Sequence, residues 1–281
     1  MKPLLLTLLA MLAFAANSIL CRMALGGQLI DAASFTTIRL VSGAIILVII
    51  LLLRDSSVRK SFSFDIKASV ALFLYAICFS FAYINLSTGT GALILFGTVQ
   101  LTMIIIGVLA GDRPKLMAWL GIVIACSGLV YLVSPGVRAP SLPGTILMAT
   151  AGLAWGVYSW RGKGVTNPVA ATTWNFVGTV PLTIAASLLF LASVDLQLPG
   201  VLLAILSGAL ASGVGYVIWY AALPYLKPTS AAAVQLSVPM IAALGGVIFM
   251  SEPLTLRLSI ASTATLGGIA LVINANRSRA I

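Results

Sequence analysis

The stretch Trp219–Leu254, WYAALPYLKPTSAAAVQLSVPMIAALGGVIFMSEPL, decides how the rest of the chain is read. It begins inside an apolar segment that stops at Pro224 and Lys227. Small residues (Thr229, Ser230, Ala231, Ala232, Ala233) then open a second segment carrying one amide, Gln235, and one proline, Pro239. That segment closes on Ser251-Glu252-Pro253, an acid followed by the residue favoured in the first turn of a new helix. The same layout stands earlier, from Tyr83 to Pro114. There Gly89-Thr90-Gly91-Ala92 opens a segment containing Gln100, and Asp112-Arg113-Pro114 closes it. One pattern occurs twice, about half a chain apart.

The solvent of both copies is lipid. The 281 residues are 60% hydrophobic and only 8% charged, with a mean hydropathy of +1.13. Apolar runs of roughly 18 or more residues recur from end to end, enough to cross a bilayer. Ten can be drawn, at about 3–24, 32–53, 66–86, 90–110, 115–134, 143–162, 169–192, 199–222, 229–250 and 255–275. The first also resembles a secretory signal, with Ala13-Phe14-Ala15 as cleavage site. Its apolar run continues to Leu25, and the second half holds a counterpart, so a retained helix is expected.

A net charge of +10 does not point to nucleic acid here, because the basic residues sit in short loops between apolar runs. With the N-terminus inside, twelve fall on the cytoplasmic side: Lys2, Arg54, Arg59, Lys60, Lys67, Arg113, Lys115, Arg161, Lys163, Lys227, Arg277 and Arg279. Only Arg22, Arg138 and Arg257 fall outside, which predicts a multi-pass protein of the cytoplasmic (inner) membrane with both termini cytoplasmic.

The duplication extends beyond the opening stretch. Phe35-Thr36-Thr37-Ile38-Arg39 is echoed by Ala171-Thr172-Thr173-Trp174-Asn175. Phe79 and Tyr83 are echoed by Tyr216 and Tyr220, Asp112 by Glu252, and Gly128 by Gly268. Five helices per half is an odd number, so the second half enters the membrane from the opposite face. The expectation is an all-α membrane protein of ten transmembrane helices in two inverted five-helix repeats, residues 1–138 and 139–281. Many secondary transporters use this architecture to alternate access to a midplane site.

On these motifs, SVPMIAALGGVIFMSEPLT and its fainter first-half copy with Val99 in place of Pro239, the chain resembles the drug/metabolite transporter superfamily. Within it, the ten-helix EamA-type exporters are most similar, and among those the YddG-like aromatic amino-acid exporters. The resemblance implies that helices one, three, four, six, eight and nine surround the path while five and ten stay peripheral. It also implies outward transport of amino acids or related small metabolites.

Polar and aromatic residues inside the segments are the candidate substrate-binding positions, because polarity in hydrocarbon is costly. Asn17, Gln100 and Gln235 are lone amides, suited equally to a substrate or to a neighbouring helix. Tyr75, Phe79 and Tyr83 recur every four residues and share a face; Trp155 and Tyr158 form another, and Tyr216 and Tyr220 a third. Such stripes line a cavity or sit at the interfaces as anchors. Arg39 is the one charge well inside a segment. It either snorkels outward towards Asp31 or meets a substrate carboxylate. Pro181 and Pro239 are hinge candidates. Gly107-x-x-x-Gly111 and Gly152-x-x-x-Gly156 allow close helix approach, and Gly245-Gly246 and Gly267-Gly268 add soft points.

No histidine is present, and Cys21, Cys78 and Cys126 lie far apart in apolar runs as expected core residues. No metal site or cofactor is therefore expected. Asp112 and Glu252 are expected to cap the helices that follow them. With every Asp and Glu at a helix end or in a loop, a facilitative carrier is favoured over a proton-coupled multidrug or metabolite efflux transporter. A membrane enzyme lacks its nucleophiles here; a channel-like protein or receptor stays as the reading from another class. The expected partners are the bilayer and a small-molecule substrate, with no nucleic acid and a monomeric chain.

Overall fold

The computed structural model describes residues 2–54, 64–111, 113–136, 139–163, 165–226 and 228–277. The loop cations Arg59 and Lys60, together with Arg138, Lys227, Arg279 and the expected capping acid Asp112, lie outside the described residues. The described chain is helical throughout, with one isolated bridge, Ile30 to Leu196, and no strand.

The helices in order are α1 (Lys2–Gly26), α2 (Ala32–Leu52), α3 (Ile66–Tyr83), α4 (Thr88–Leu109), α5 (Leu116–Val133), α6 (Leu142–Arg161) and α7 (Pro168–Leu189). Next comes α8, built from Leu198–Ile205, a π-helical stretch Leu206–Val214, and Gly215–Ala222. Then α9 runs as Pro228–Gln235 and Ser237–Met250, and α10 is Leu256–Arg277. Nine of these spans are long and apolar enough to cross a membrane. The other is α6, whose Gly, Thr, Ser and aromatic content dilutes its apolar character. It packs on α3 and α4, and the face it leaves exposed, Leu142, Ile146, Leu153 and Val157, is apolar.

Local chemistry sets several boundaries. Asp31 caps α2 by accepting from Ser34 N–H at 2.8 Å, and Asp65 caps α3 by accepting from Lys67 and Ala68 N–H at 2.9 and 3.2 Å. Asn167 caps α7, with Pro168 at its first position. The ends of α4 and α9 match: Gly111 (φ +104) follows α4 and Ser251 (φ 51) follows α9, each turning the chain through the left-handed region. Pro239 has no N–H for the Gln235 carbonyl one turn back, and α9 breaks there, between Gln235 and Ser237. Pro181 interrupts the ladder of α7 without breaking the helix.

Packing pairs like with like. α2 lies along α7, and α5 along α10; α1 packs on α8 and α9, just as α6 packs on α3 and α4. The α5–α10 seam closes through Gly121, Gly128 and Gly268, whose missing side chains let the two backbones touch. Gly152 and Gly156 play the same part between α6 and α4, against Thr98 and Thr102. Gly111 does not: nothing lies near it, because it serves as a turn. Cys126 also departs from expectation, being exposed on the outer face of α5, whereas Cys21 and Cys78 are buried.

Candidate functional site

One deep cavity of about 620 Å³ occupies the centre of the bundle. Its walls come from α1 (Phe14, Asn17), α3 (Tyr75, Phe79), α4 (Phe96, Gln100), α6 (Trp155, Tyr158), α8 (Tyr216, Trp219, Tyr220) and α9 (Gln235). A seventh helix joins them, α7, through Ala171, Thr172 and Asn175; no described residue of α5 or α10 lines the wall. The α7 contribution corrects the six-helix expectation. Its cause is the α2–α7 pairing, which presents the Thr172–Asn175 face inward.

The aromatic side chains form a connected set. Trp155 packs 4.6 Å from Tyr75, 5.4 Å from Tyr158, and stacks on Tyr216 at 5.4 Å and 20° between planes. Phe14 and Phe176 close on Tyr216 from the sides, at 5.7 and 6.0 Å. Polar contacts are few and central. The Tyr75 hydroxyl accepts from Arg39 Nη2 at 2.9 Å and from Asn17 Nδ2 at 3.2 Å. Ser207 in the π-helical stretch donates to Asn17 Oδ1 at 2.6 Å, and Thr172 donates to the Tyr220 hydroxyl at 3.0 Å. The wide π turn lets Gly208 touch the backbone of Arg39, where any Cβ would collide with the Arg39 carbonyl.

Nine of the ten residues read from sequence as substrate-binding reach this wall: Asn17, Tyr75, Phe79, Gln100, Trp155, Tyr158, Tyr216, Tyr220 and Gln235. Tyr83 does not. It continues the α3 stripe, 4.8 Å from Phe79, but lies fully buried beyond the cavity's end, with its ring over Gly91 and its hydroxyl donating to Thr88 O at 3.3 Å. Of the hinge candidates, Pro239 stands beside the break in α9 and Pro181 within continuous α7. Sequence reasoning missed Phe14, Trp219, Ser207 and Ser212 as parts of the site. The serines lie in the Gly- and Ala-rich 206–215 run, whose low side-chain volume was the available signal.

Arg39 neither snorkels nor meets Asp31. It is 2% exposed, its guanidinium lies over the rings of Phe79 and Tyr75 (4.8 and 5.2 Å), and Asp31 is occupied as a helix cap that also accepts from Asp195 N–H. Glu252 is likewise not the cap of its following helix. Its carboxylate reaches across the bundle to Arg22 Nε at 3.1 Å and accepts from Thr88 N–H, at the start of α4, at 2.8 Å. Leaving the chain through Ser251 in the left-handed region turns Glu252 back over Gly246, where no Cβ obstructs it.

These contacts give the cavity unlike ends. At one end Arg22 pairs with Glu252 and also donates to the carbonyls of Tyr83 and Ile84, both at 3.0 Å. Beside it, the connections before α2 and before α8 are zipped by backbone bonds Asp31 N to Asp195 O and Gln197 N to Leu29 O. That end is sealed. The other end is the mouth, lined by Asp65, Arg161, Lys163, Pro168 and Ala231. There Arg161 donates from Nε to Asp65 at 2.7 Å. Burial alone would raise the Asp65 carboxyl, but the Arg161 guanidinium and the N–H groups of Ala68 and Lys67 outweigh it and hold it below the usual carboxylate range.

Comparison with known proteins agrees with this architecture. The pattern of the EamA-like transporter family matches twice, over residues 1–134 and 142–274. An uncharacterized protein of Pseudomonas aeruginosa is 47% identical over 279 residues, covering 99% of this chain and 97% of that one. Two proteins of Archaeoglobus fulgidus, each described as an uncharacterized transporter, are 26% and 28% identical over 220 and 208 residues. They cover 74% and 70% of this chain and 78% and 71% of their own. A solved crystal structure superposes with a TM-score of 0.65 at 19% identity, over 95% of this chain and 97% of that one, a likeness of fold alone.

Proposed function

The chain belongs to the EamA-like transporter family, a family of membrane transporters and not of enzymes, and from that premise we propose a facilitative exporter of small metabolites, neutral or aromatic amino acids foremost. The observation that carries the reading is a central aromatic cavity open at one end and sealed at the other by contacts between the two halves. A carrier working by alternating access needs such a one-sided state and a second in which the ends exchange. The first helices of the two halves run in opposite senses, since α1 finishes at the sealed end with Arg22 and α6 finishes at the mouth with Arg161. That supports the inverted repeat, with division near residues 138 and 139. Arg161 and Lys163 at the mouth, and Lys67 in the first turn of α3, favour the mouth as the cytoplasmic face.

Stacking surfaces with a few hydroxyls and amides suit an amino acid bearing an apolar or aromatic side chain, as handled by the YddG-like branch. Within the cavity, the carboxylate among the described lining residues is Asp65, at the mouth and already paired, which favours a gradient-driven over a proton-coupled carrier. Counterflow tests this directly: labelled phenylalanine is offered to proteoliposomes with and without unlabelled phenylalanine inside. Saturable uptake stimulated by internal substrate, and unchanged when a pH gradient is collapsed, is expected. Stimulation that vanishes with the gradient replaces the facilitative reading by proton coupling, and non-saturating flux replaces it by a channel.

A further inference from the structure

Arg39 is, among the described residues, the one charged side chain that is fully buried, and no described acid stands beside it. Asp31 and Asp65 cap helices, and Glu252 holds Arg22. The guanidinium makes one hydrogen bond, to the Tyr75 hydroxyl, while its Nε and Nη1 donors have no partner. Its two aromatic neighbours offer only a modest cation–π attraction. An unpaired buried donor is costly, and an uncompensated buried ion costs more still. Among the described residues the site is one anion short.

The geometry says where that anion arrives. Arg39 does not itself reach the cavity wall; Tyr75 and Phe79 stand between it and the cavity. The Tyr75 oxygen already accepts from Arg39 Nη2 and Asn17 Nδ2, so its own O–H is left to donate. A phenol that accepts from a cation is a strengthened donor, because linked hydrogen bonds polarise one another. We infer that Tyr75, with the charge of Arg39 behind it, receives the carboxylate of the transported molecule, making this a carrier selective for carboxylates with an apolar or aromatic body. Asn175 Oδ1 and Ser212 Oγ are buried acceptors without partners on the same cavity's α7 and α8 walls, and they suit the amino group of such a molecule.

The inference rests on the carrier reading, and its test separates the two. Thermal stabilisation of the full-length protein in detergent is titrated with phenylalanine, phenylalaninamide and phenethylamine, alongside counterflow of each probe. The wild type is expected to favour phenylalanine over the amide by at least about tenfold in half-saturating concentration, equivalent to about 1.4 kcal/mol. In Arg39→Gln and in Tyr75→Phe, which keeps the ring and the packing, that ratio falls to about one; Arg39→Lys retains part of it. The ratio does not depend on how much of a variant is folded, so a merely structural Arg39 leaves it unmoved. Unchanged discrimination in both variants, preference for the amine, stabilisation by sodium chloride alone, or no stabilisation by any probe overturns the inference. Carboxylate-selective binding without counterflow leaves the anchor standing and removes the carrier. Counterflow indifferent to the carboxylate does the reverse.

Discussion

The two ends of the cavity use the same pair of charges differently. At the sealed end Arg22, near the close of α1, grips Glu252 and two carbonyls, and the ion pair is sheltered, with side chains 24% and 14% exposed. At the mouth Arg161, which closes α6, meets Asp65 with side chains 37% and 33% exposed. The sealed pair joins four chain segments (the ends of α1 and α3, the start of α4 and the turn after α9), whereas the open pair joins two. Coulomb attraction grows as water leaves, and a shared cluster restrains more chain per contact. The lesson is that opposite charges do not make a gate; their desolvation and the number of helices they tie together do.

Glu252→Gln is the sharpest way to break this contrast. It leaves Arg22 sheltered without its counter-charge, a loss of about 2 kcal/mol against the sealed state, or more than a tenfold shift in population. Spin labels at Asn85 and Leu254, both exposed near the sealed end, should report a longer distance in the variant. An unchanged distance would reduce the Arg22–Glu252 pair to a passive strut.

Gly91→Ala probes the packing under the same end. The new methyl meets the Tyr83 ring, which is fully buried and cannot swing aside, so thermal unfolding should show a loss of about 1–3 kcal/mol. Equal stability would mean that Tyr83 has freedom its burial denies.

The smallest effect belongs to the mouth. Asp65→Asn should cost under about 1 kcal/mol, since a pair this exposed is screened by water and salt. Its pH dependence has a fixed sign. Because the folded carboxyl is held low, the contribution is present above the unfolded value of about 4 and fades as pH falls through the folded one, so at neutral pH no variation with pH is expected from it. A larger penalty for Asp65→Asn than for Glu252→Gln would invert the comparison.

Much of this was legible in the chain. Hydrocarbon tolerates few polar groups, so apolar runs marked the helices, and lone polar residues such as Asn17, Gln100 and Gln235 stood out and do lie on the cavity wall. Periodicity put Tyr75, Phe79 and Tyr83 on one face of α3. It could not say where along that face the cavity stops. That depended on Gly91, on another helix, admitting the Tyr83 ring. The π-helical stretch in α8 was equally hidden, because Ser207 and Gly208 acquire meaning only against Asn17 and Arg39 of the other half.

By itself, then, the sequence determined the solvent, the ten helices and the duplicated pattern, since each is set by local composition and spacing along one chain; its motifs carried the resemblance to the family. The tertiary structure alone decided the partners: that Glu252 serves α1 and α4 instead of its own following helix, that Arg39 is buried behind Tyr75, and that α7 joins the wall. Charges and small residues act over a few ångströms through space. A pairing between residues 22 and 252 is fixed by how two halves pack, a distance that no local pattern encodes.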